Sequence, residues 1–222
     1  MSAPLEVSKR FLTSYLDSLL LVKQHSVVDV VKGKQSCSYV GRAVKHHRLS
    51  EDDRKEEVCW KPPDQNSVKV NVDGSFNSVD GKAGVGVIVR DHEGKVIVSA
   101  CRSLAACVDA LDSELMACEE GISVAVAYSD KNIVLESDCA EAVSLLNAKE
   151  TDRSLHAVNV REIRRQLARY RVKLSKISRN QNSASHALAN LGQTWGRDAR
   201  WVGCGPQEIA EIVKLDFNLF VG

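Results

Sequence analysis

The chain is 222 residues long with a formal net charge of +1; 44% of its residues are hydrophobic, 27% charged and 5% aromatic. This balance excludes a disordered or low-complexity chain and a strong polyelectrolyte, and it leaves room for one domain of about 150 residues with an appendage. So few aromatics imply a core of Val, Ile, Leu and Ala, which favours sheet with helices.

Residues 1–59 differ in pattern from the rest. Leu12, Leu16, Leu19 and Leu20 fall on one side of a helix-like segment over 11–31, and residues 33–57 carry many charges with no period. This segment reads either as a short amphipathic helix and a flexible tether, or as an ordered extension packed on the domain C-terminal to it. No apolar run approaches the ~20 residues of a membrane span. The seven cysteines form no CxxC pair, so most read as small buried hydrophobes in a reducing, intracellular setting. Trp60, Lys61, Pro62 and Pro63 mark a boundary, because two prolines prohibit helix and favour extended entry into a strand.

From there the pattern becomes regular. Val68, Val70 and Val72 alternate with Lys69, Asn71 and Asp73, which predicts a half-buried strand over 68–76. Strands over 83–91 and 95–103 come next, joined by the turn His92-Glu93-Gly94, so the first three strands form an antiparallel meander. Asp109–Tyr128 is expected to be a helix with Leu111, Leu115, Cys118, Ile122 and Ala125 on its apolar stripe. A short strand is expected over 132–137, then helices over Ala140–Asn147 and Ser154–Arg169, a strand over 170–178 and a helix over Ser183–Leu191. A helical crossover separates the first and fourth strands, so they are expected to pair in parallel.

Three carboxylates stand out in that order of elements. Asp73 is placed on the polar face of a Val-rich strand, where an uncompensated charge is costly, and Gly74 after it opens the backbone to a ligand. Glu114 flanks the apolar helix stripe at about 60°, whereas Glu120 points away and reads as solvated. Asp138 closes a strand whose C-terminal end faces a ligand crevice; it reads either as a site residue or as the cap of the helix beginning near Ala140. Two carboxylates about 4 Å apart repel by roughly 4 kcal/mol at an effective dielectric of 20, so a cluster of three takes up protons or a cation. Oxygen-only ligands suit Mg2+ or Mn2+, and metal-assisted chemistry on a phosphodiester follows.

The strings VNVDGSF with Gly84 and Gly86 after it, SELMA, LESDCAEAV and RNQNSASHALANLG resemble, in order and spacing, the type 1 ribonuclease H domain. The WKPP lead-in and the closing GPQEIAEIVKLD make the chain similar to the plant group of reverse-transcriptase-like ribonuclease H proteins. The resemblance covers about residues 60–217. It implies an α/β fold with a mixed five-stranded sheet, three antiparallel strands then parallel ones, and helices on both faces. The corresponding division is 1–59 as helix and tether, 60–192 as the ribonuclease H-like domain, and 193–222 as an extension with a short helix.

The implied activity is hydrolysis of the RNA strand of an RNA/DNA hybrid by a two-metal endonuclease. Asp73, Glu114 and Asp138 match the first three metal ligands; one ion would activate water and the other stabilise the leaving 3′-oxygen. Hybrid recognition through the 2′-hydroxyl and duplex shape suits Gly74, Ser75 and Asn77. His186 stands where the family pattern has a fourth carboxylate, and it reads either as an assisting catalytic residue or as a helix residue packed beside the cleft. The connection RNQNS is short for the mobile catalytic-histidine loop of many family members. Arg161, Arg165 and Arg169, at i, i+4 and i+8, line one helix face opposite Val160, Ile163 and Leu167. They read as a solvated face or, with Arg179, as phosphate contacts. A module derived from a retroelement, binding nucleic acid or protein with little turnover, is the alternative from another functional class.

Overall fold

The computed structural model describes residues 60–221, and their side chains as far as Asp216. The helix and tether expected in residues 1–59 lie outside the described residues. Six strands form one mixed sheet: β1 (Ser67–Phe76), β2 (Ala83–Arg90), β3 (Val96–Leu104), β4 (Asn132–Ser137), β5 (Lys173–Lys176) and β6 (Ala199–Val202). Their order is β5-β4-β1-β2-β3-β6. The meander β1–β2–β3 is antiparallel, and β4 lies parallel to β1, as the alternation and the crossover predict.

The sheet has six strands rather than the expected five. β6 pairs antiparallel with β3, from Val98↔Val202 to Cys101↔Ala199, and its four residues are too few to show a period of two in sequence. The strand expected over 170–178 is confined to Lys173–Lys176, parallel to β4. Arg171 just before it has φ 52°, so the chain reverses there instead of extending.

Among the described residues five helices cover the sheet: α1 (Ala110–Tyr128), α2 (Ala140–Asn147), α3 (Ala157–Arg169), α4 (Ser183–Trp195) and α5 (Gln207–Val221). Asp109 starts α1 by accepting a hydrogen bond from the Asp112 amide at 2.8 Å, which satisfies one of the orphan donors of the first turn. The stripe Leu115, Cys118, Ile122 and Ala125 is fully buried against Val68, Val70 and Val72. α3 packs on α1 and α2 as an outer layer. It begins at Ala157 rather than Ser154, because the Asp152 carboxylate accepts from the Ser154 amide and hydroxyl and holds a turn there.

α4 crosses the opposite face over β1, β2 and β3, and α5 packs beside it. That crossing is close: a side chain at Gly86 would collide with the Ser185 carbonyl and the Ala189 amide. α4 continues past the expected end at Leu191 and stops at Gly196, which takes a left-handed φ of 63°.

Beneath α5 the same face holds a buried polar network. Asn71 donates to Glu136 Oε2 at 3.0 Å, and Lys69 Nζ pairs with Glu136 Oε1 at 2.9 Å. Asn71 Oδ1 accepts from Trp60 Nε1 at 2.9 Å and from Arg90 Nη2 at 3.0 Å. The Arg90 guanidinium stacks 3.5 Å from the Trp60 ring centroid and pairs with Asp216 of α5 at 2.6 Å. Trp60, a boundary mark in sequence, is thus a core residue.

Of the described cysteines, all free, Cys101 and Cys118 are buried, Cys107 and Cys139 half-buried and Cys204 exposed, so only two match the expected buried role. No helix among the described residues is long and apolar enough to cross a membrane.

Candidate active site

Sheet register brings the first two carboxylates together. In the parallel ladder Val72 is opposite Ser137, so the next residues, Asp73 and Asp138, emerge side by side on the same face at the C-terminal end of β1 and β4. Asp73 is on the face covered by α4. Glu114 arrives from the other face: α1 lies so close to β1 that a Cβ on Gly74 would sit 2.5 Å from the Glu114 amide nitrogen. Gly74 therefore does not open space for a ligand, as the sequence suggests; its bare backbone lets α1 carry Glu114 over the strand end. The three residues offer ligand atoms within 4.8 Å of one another.

Burial and mutual repulsion set the charge of the cluster. Burial pushes the Asp73 carboxyl up to about 6; His186 lowers it by hydrogen bond and charge, and Asp138 raises it. Burial, then the charges of Asp73 and Asp138, push Glu114 up to about 8 against hydrogen bonds from the Gly74 backbone and the Ser137 side chain. One Glu114 oxygen, Oε2, is buried with no hydrogen-bond partner among the described residues. An orphaned buried oxygen and a retained proton are what a cluster shows when its chemistry calls for a cation. Oxygen-only donors, partly open to solvent, fit Mg2+ or Mn2+.

Asp138 does not cap α2; Cys139 does, its sulfur accepting from the Ala142 amide. Asp138 is held instead by Asn182, which donates to its Oδ1 at 2.7 Å and to the Val72 carbonyl at 2.9 Å. Asn182 ends a 3-10 turn, Arg179–Asn182, that leads into α4, and its own oxygen accepts from Ser185 Oγ at 2.6 Å. Sequence reasoning missed this residue: in RNQNS it reads as one more polar loop residue. The only signal was an asparagine at the start of an otherwise apolar helix run.

His186 projects from α4 with Nδ1 2.9 Å from Asp73 Oδ2. Arg179 is 93% exposed, and its Nε lies 3.7 Å from Asp138 Oδ2. Ser75 donates to Asn190 Oδ1 at 3.0 Å. Asn77 is exposed in the turn between β1 and β2, its side chain accepting from the Val79 amide. Arg161, Arg165 and Arg169 lie on the exposed side of α3, outside the carboxylate cluster, with Val160 and Ile163 buried and Leu167 half-buried opposite. Arg165 is paired with Glu162 at 2.7 Å and Arg169 lies over the Tyr170 ring. Glu120, expected to be solvated, has its side chain 16% exposed and bridges Arg102 and Arg200 at 3.0 and 3.3 Å.

A mixed sheet in this strand order, flanked by helices and carrying three carboxylates at the C-terminal ends of β1 and β4, defines a ribonuclease H-like α/β protein. The chain matches the reverse transcriptase-like family over residues 71–192 and belongs to it. No curated protein matches the chain. Among solved structures it is similar in fold to type 1 ribonuclease H domains. The N-terminal RNase H domain of rv2228c from Mycobacterium tuberculosis aligns with a TM-score of 0.53 and 16% identity, over 58% of this chain and 94% of that one. LC11-RNase H1, isolated from compost, aligns with a TM-score of 0.54 and 15% identity, over 59% and 98%. The same protein in complex with an RNA/DNA hybrid aligns with a TM-score of 0.51 and 14% identity, over 58% and 98%.

Proposed function

We propose that this protein is a metal-dependent endonuclease that hydrolyses the RNA strand of RNA/DNA hybrids, with Asp73, Glu114 and Asp138 holding Mg2+ or Mn2+. The observation that carries the reading is the convergence of three carboxylates within 4.8 Å, from two strand ends and a helix. Family membership and the hybrid bound by LC11-RNase H1 support the choice of substrate. The WKPP and GPQEIAEIVKLD segments support placement with the plant group.

Divalent ions in such a site lower the pKa of a bound water and neutralise charge on the scissile phosphate, as a pair when two are held. The chain's own residues do the rest. Asp73 and Asp138 are fixed side by side by the sheet, and Asn182 orients Asp138. Burial of Glu114 in a low-dielectric edge strengthens its attraction for a cation. Ser75 and Asn77, on the strand end and turn beside Asp73, can contact the sugar edge, where a 2′-hydroxyl distinguishes RNA from DNA. Arg179 at the rim, with Arg161, Arg165 and Arg169 on α3, supplies cations for backbone phosphates.

Incubating a labelled hybrid with the full chain and Mg2+, then Mn2+, tests this. The parent protein should cut the RNA strand, and Asp73→Asn should lose at least 100-fold of the rate, about 2.7 kcal/mol of barrier. Equal residual cutting by the two proteins would refute catalysis at this site.

A further inference from the structure

We infer that β6 is an interface: its outer edge pairs with β6 of a second copy of this chain, antiparallel, with Trp201 directly opposite its own mate. The inference does not rest on the proposed nuclease activity.

The backbone is self-complementary there. Among the described residues β6 ends the sheet, with β3 on its inner side. The Gly203 amide donates to the Ile97 carbonyl at 2.8 Å, one step beyond the pair Val98↔Val202. Bonded and non-bonded pairs alternate in an antiparallel ladder, so Ala199 and Trp201 bond inward to β3, whereas the N–H and C=O groups of Arg200 and Val202 point outward. Setting Arg200 against Val202 of a second copy satisfies all of these groups at once, about a two-fold axis at Trp201. Within Ala199–Val202 a register that sets Arg200 or Val202 against itself satisfies only half of them, and the first also opposes two guanidinium groups.

The two edges of the sheet meet solvent differently. β5 carries exposed Lys173 and Lys176 and follows exposed Arg171, the charged guard by which edge strands repel pairing. β6, with the sequence Ala-Arg-Trp-Val, has no lysine and no proline. Its one charge is committed to its own chain: Arg200 pairs with Glu120 of α1 at 3.3 Å and lies over the Tyr128 ring. Val202 is 64% exposed.

Side chains fit the same two-fold. Trp201 makes a T-shaped contact with Trp195 at the end of α4, ring centroids 6.2 Å apart, and Trp195 is itself exposed. Opposed residues of a non-bonded pair have Cα atoms about 4.5 Å apart, so the two Trp201 rings meet on one face, where aromatic cross-strand pairs stabilise a sheet. Such an isologous contact closes on itself. Its axis stands normal to the sheet and reverses strand direction, so the two carboxylate clusters open at opposite ends of the joined sheet. Four paired residues bury far less than the roughly 800 Å² per partner of a standard interface, so the dimer is weak and forms as concentration rises.

Sedimentation equilibrium of the full chain in reducing buffer, from about 10 μM to about 1 mM, should fit a monomer–dimer equilibrium with no larger species. Val202→Pro removes one outward N–H where an edge strand tolerates proline, and Val202→Lys sets a second cation opposite Arg200. Each should weaken the dimer about 10-fold or more while circular dichroism shows an intact fold; Val202→Lys decides if Val202→Pro does not fold. For the register, Trp201→Cys in a Cys204→Ser background, which removes an exposed thiol, should cross-link to its mate on oxidation beyond the background alone, and Val202→Cys should not. Affinity unchanged in the folded variants, cross-linking through position 202 instead of 201, or growth into open polymers overturns the inference. A monomer at every concentration also overturns it, and returns the edge to residues 1–59 or to a different protein.

Discussion

Asn182 shows how one amide can fix a carboxylate against a strand end. Its two N–H groups bridge the Val72 carbonyl and Asp138, so strand β1, the end of β4 and the start of α4 meet at a single side chain. Replacing it with Ala leaves a buried carbonyl and a carboxylate unsatisfied, which costs about 1–3 kcal/mol. Asn182→Ala should therefore lower the melting temperature and weaken Mn2+ binding about 10- to 100-fold, read by calorimetry and by Mn2+ titration. Unchanged affinity would show that Asp138 keeps its place unaided. The three carboxylates were legible in sequence because each interrupts a recognisable pattern: Asp73 on the polar face of a Val-rich strand, Glu114 beside an apolar helix stripe, Asp138 just past a short strand. Asn182 and the true role of Gly74 were not, because each depends on which strand or helix it is packed against, and a local pattern carries no record of that non-local neighbour.

At the scale of elements, the pair Arg90–Asp216 couples α5 to the sheet. Both groups are desolvated: burial pushes the Arg90 guanidinium down and the Asp216 carboxyl up, and each is partly restored by the other. Removing only one partner strands the other charge, a loss of about 3–5 kcal/mol for a buried pair. Arg90 is buried and Asp216 half-buried, so Asp216→Ala should destabilise more than Arg90→Met, which also preserves contact with Trp60. Urea unfolding of both variants checks this, and equal small losses would show α5 to be held by its apolar face alone. Long periodic elements such as α1 and β1 were readable because their burial pattern repeats. β6 was hidden for the opposite reason: four residues complete a sheet edge only through pairing with β3, which is non-local.

For the molecule as a whole, the carboxylate cluster works against stability as long as nothing neutralises it. Asp73 and Glu114 hold protons in the folded chain that the unfolded chain has released, because their carboxyls are raised from 3.8 and 4.5 to about 6 and about 8. The folded state thus binds more protons from about pH 4 to about pH 8, and stability contributed by these groups falls as pH rises through that window, by a few kcal/mol at its end. In chelator the melting temperature should drop across this range. Glu114→Gln should flatten the drop, and Mn2+ should restore the loss at pH 8. A slope identical in Glu114→Gln and parent would place the titration elsewhere. The α3 arginines belong to this scale too, since long-range attraction to a polyanion is summed over a surface. Replacing Arg161, Arg165 and Arg169 together with Ala should reduce the slope of log affinity against log salt by up to about 0.9 for each phosphate no longer neutralised. An unchanged slope would remove α3 from the binding surface.

The parallel pairing of β1 with β4 also sets a timetable. Its two aspartates are 65 positions apart in the chain, and the asparagine that braces them comes 44 positions later still. A ribosome must release nearly the whole domain before these parts can meet. A nascent chain arrested before α4 has left the exit tunnel should therefore lack the assembled carboxylate cluster even if its meander has already formed.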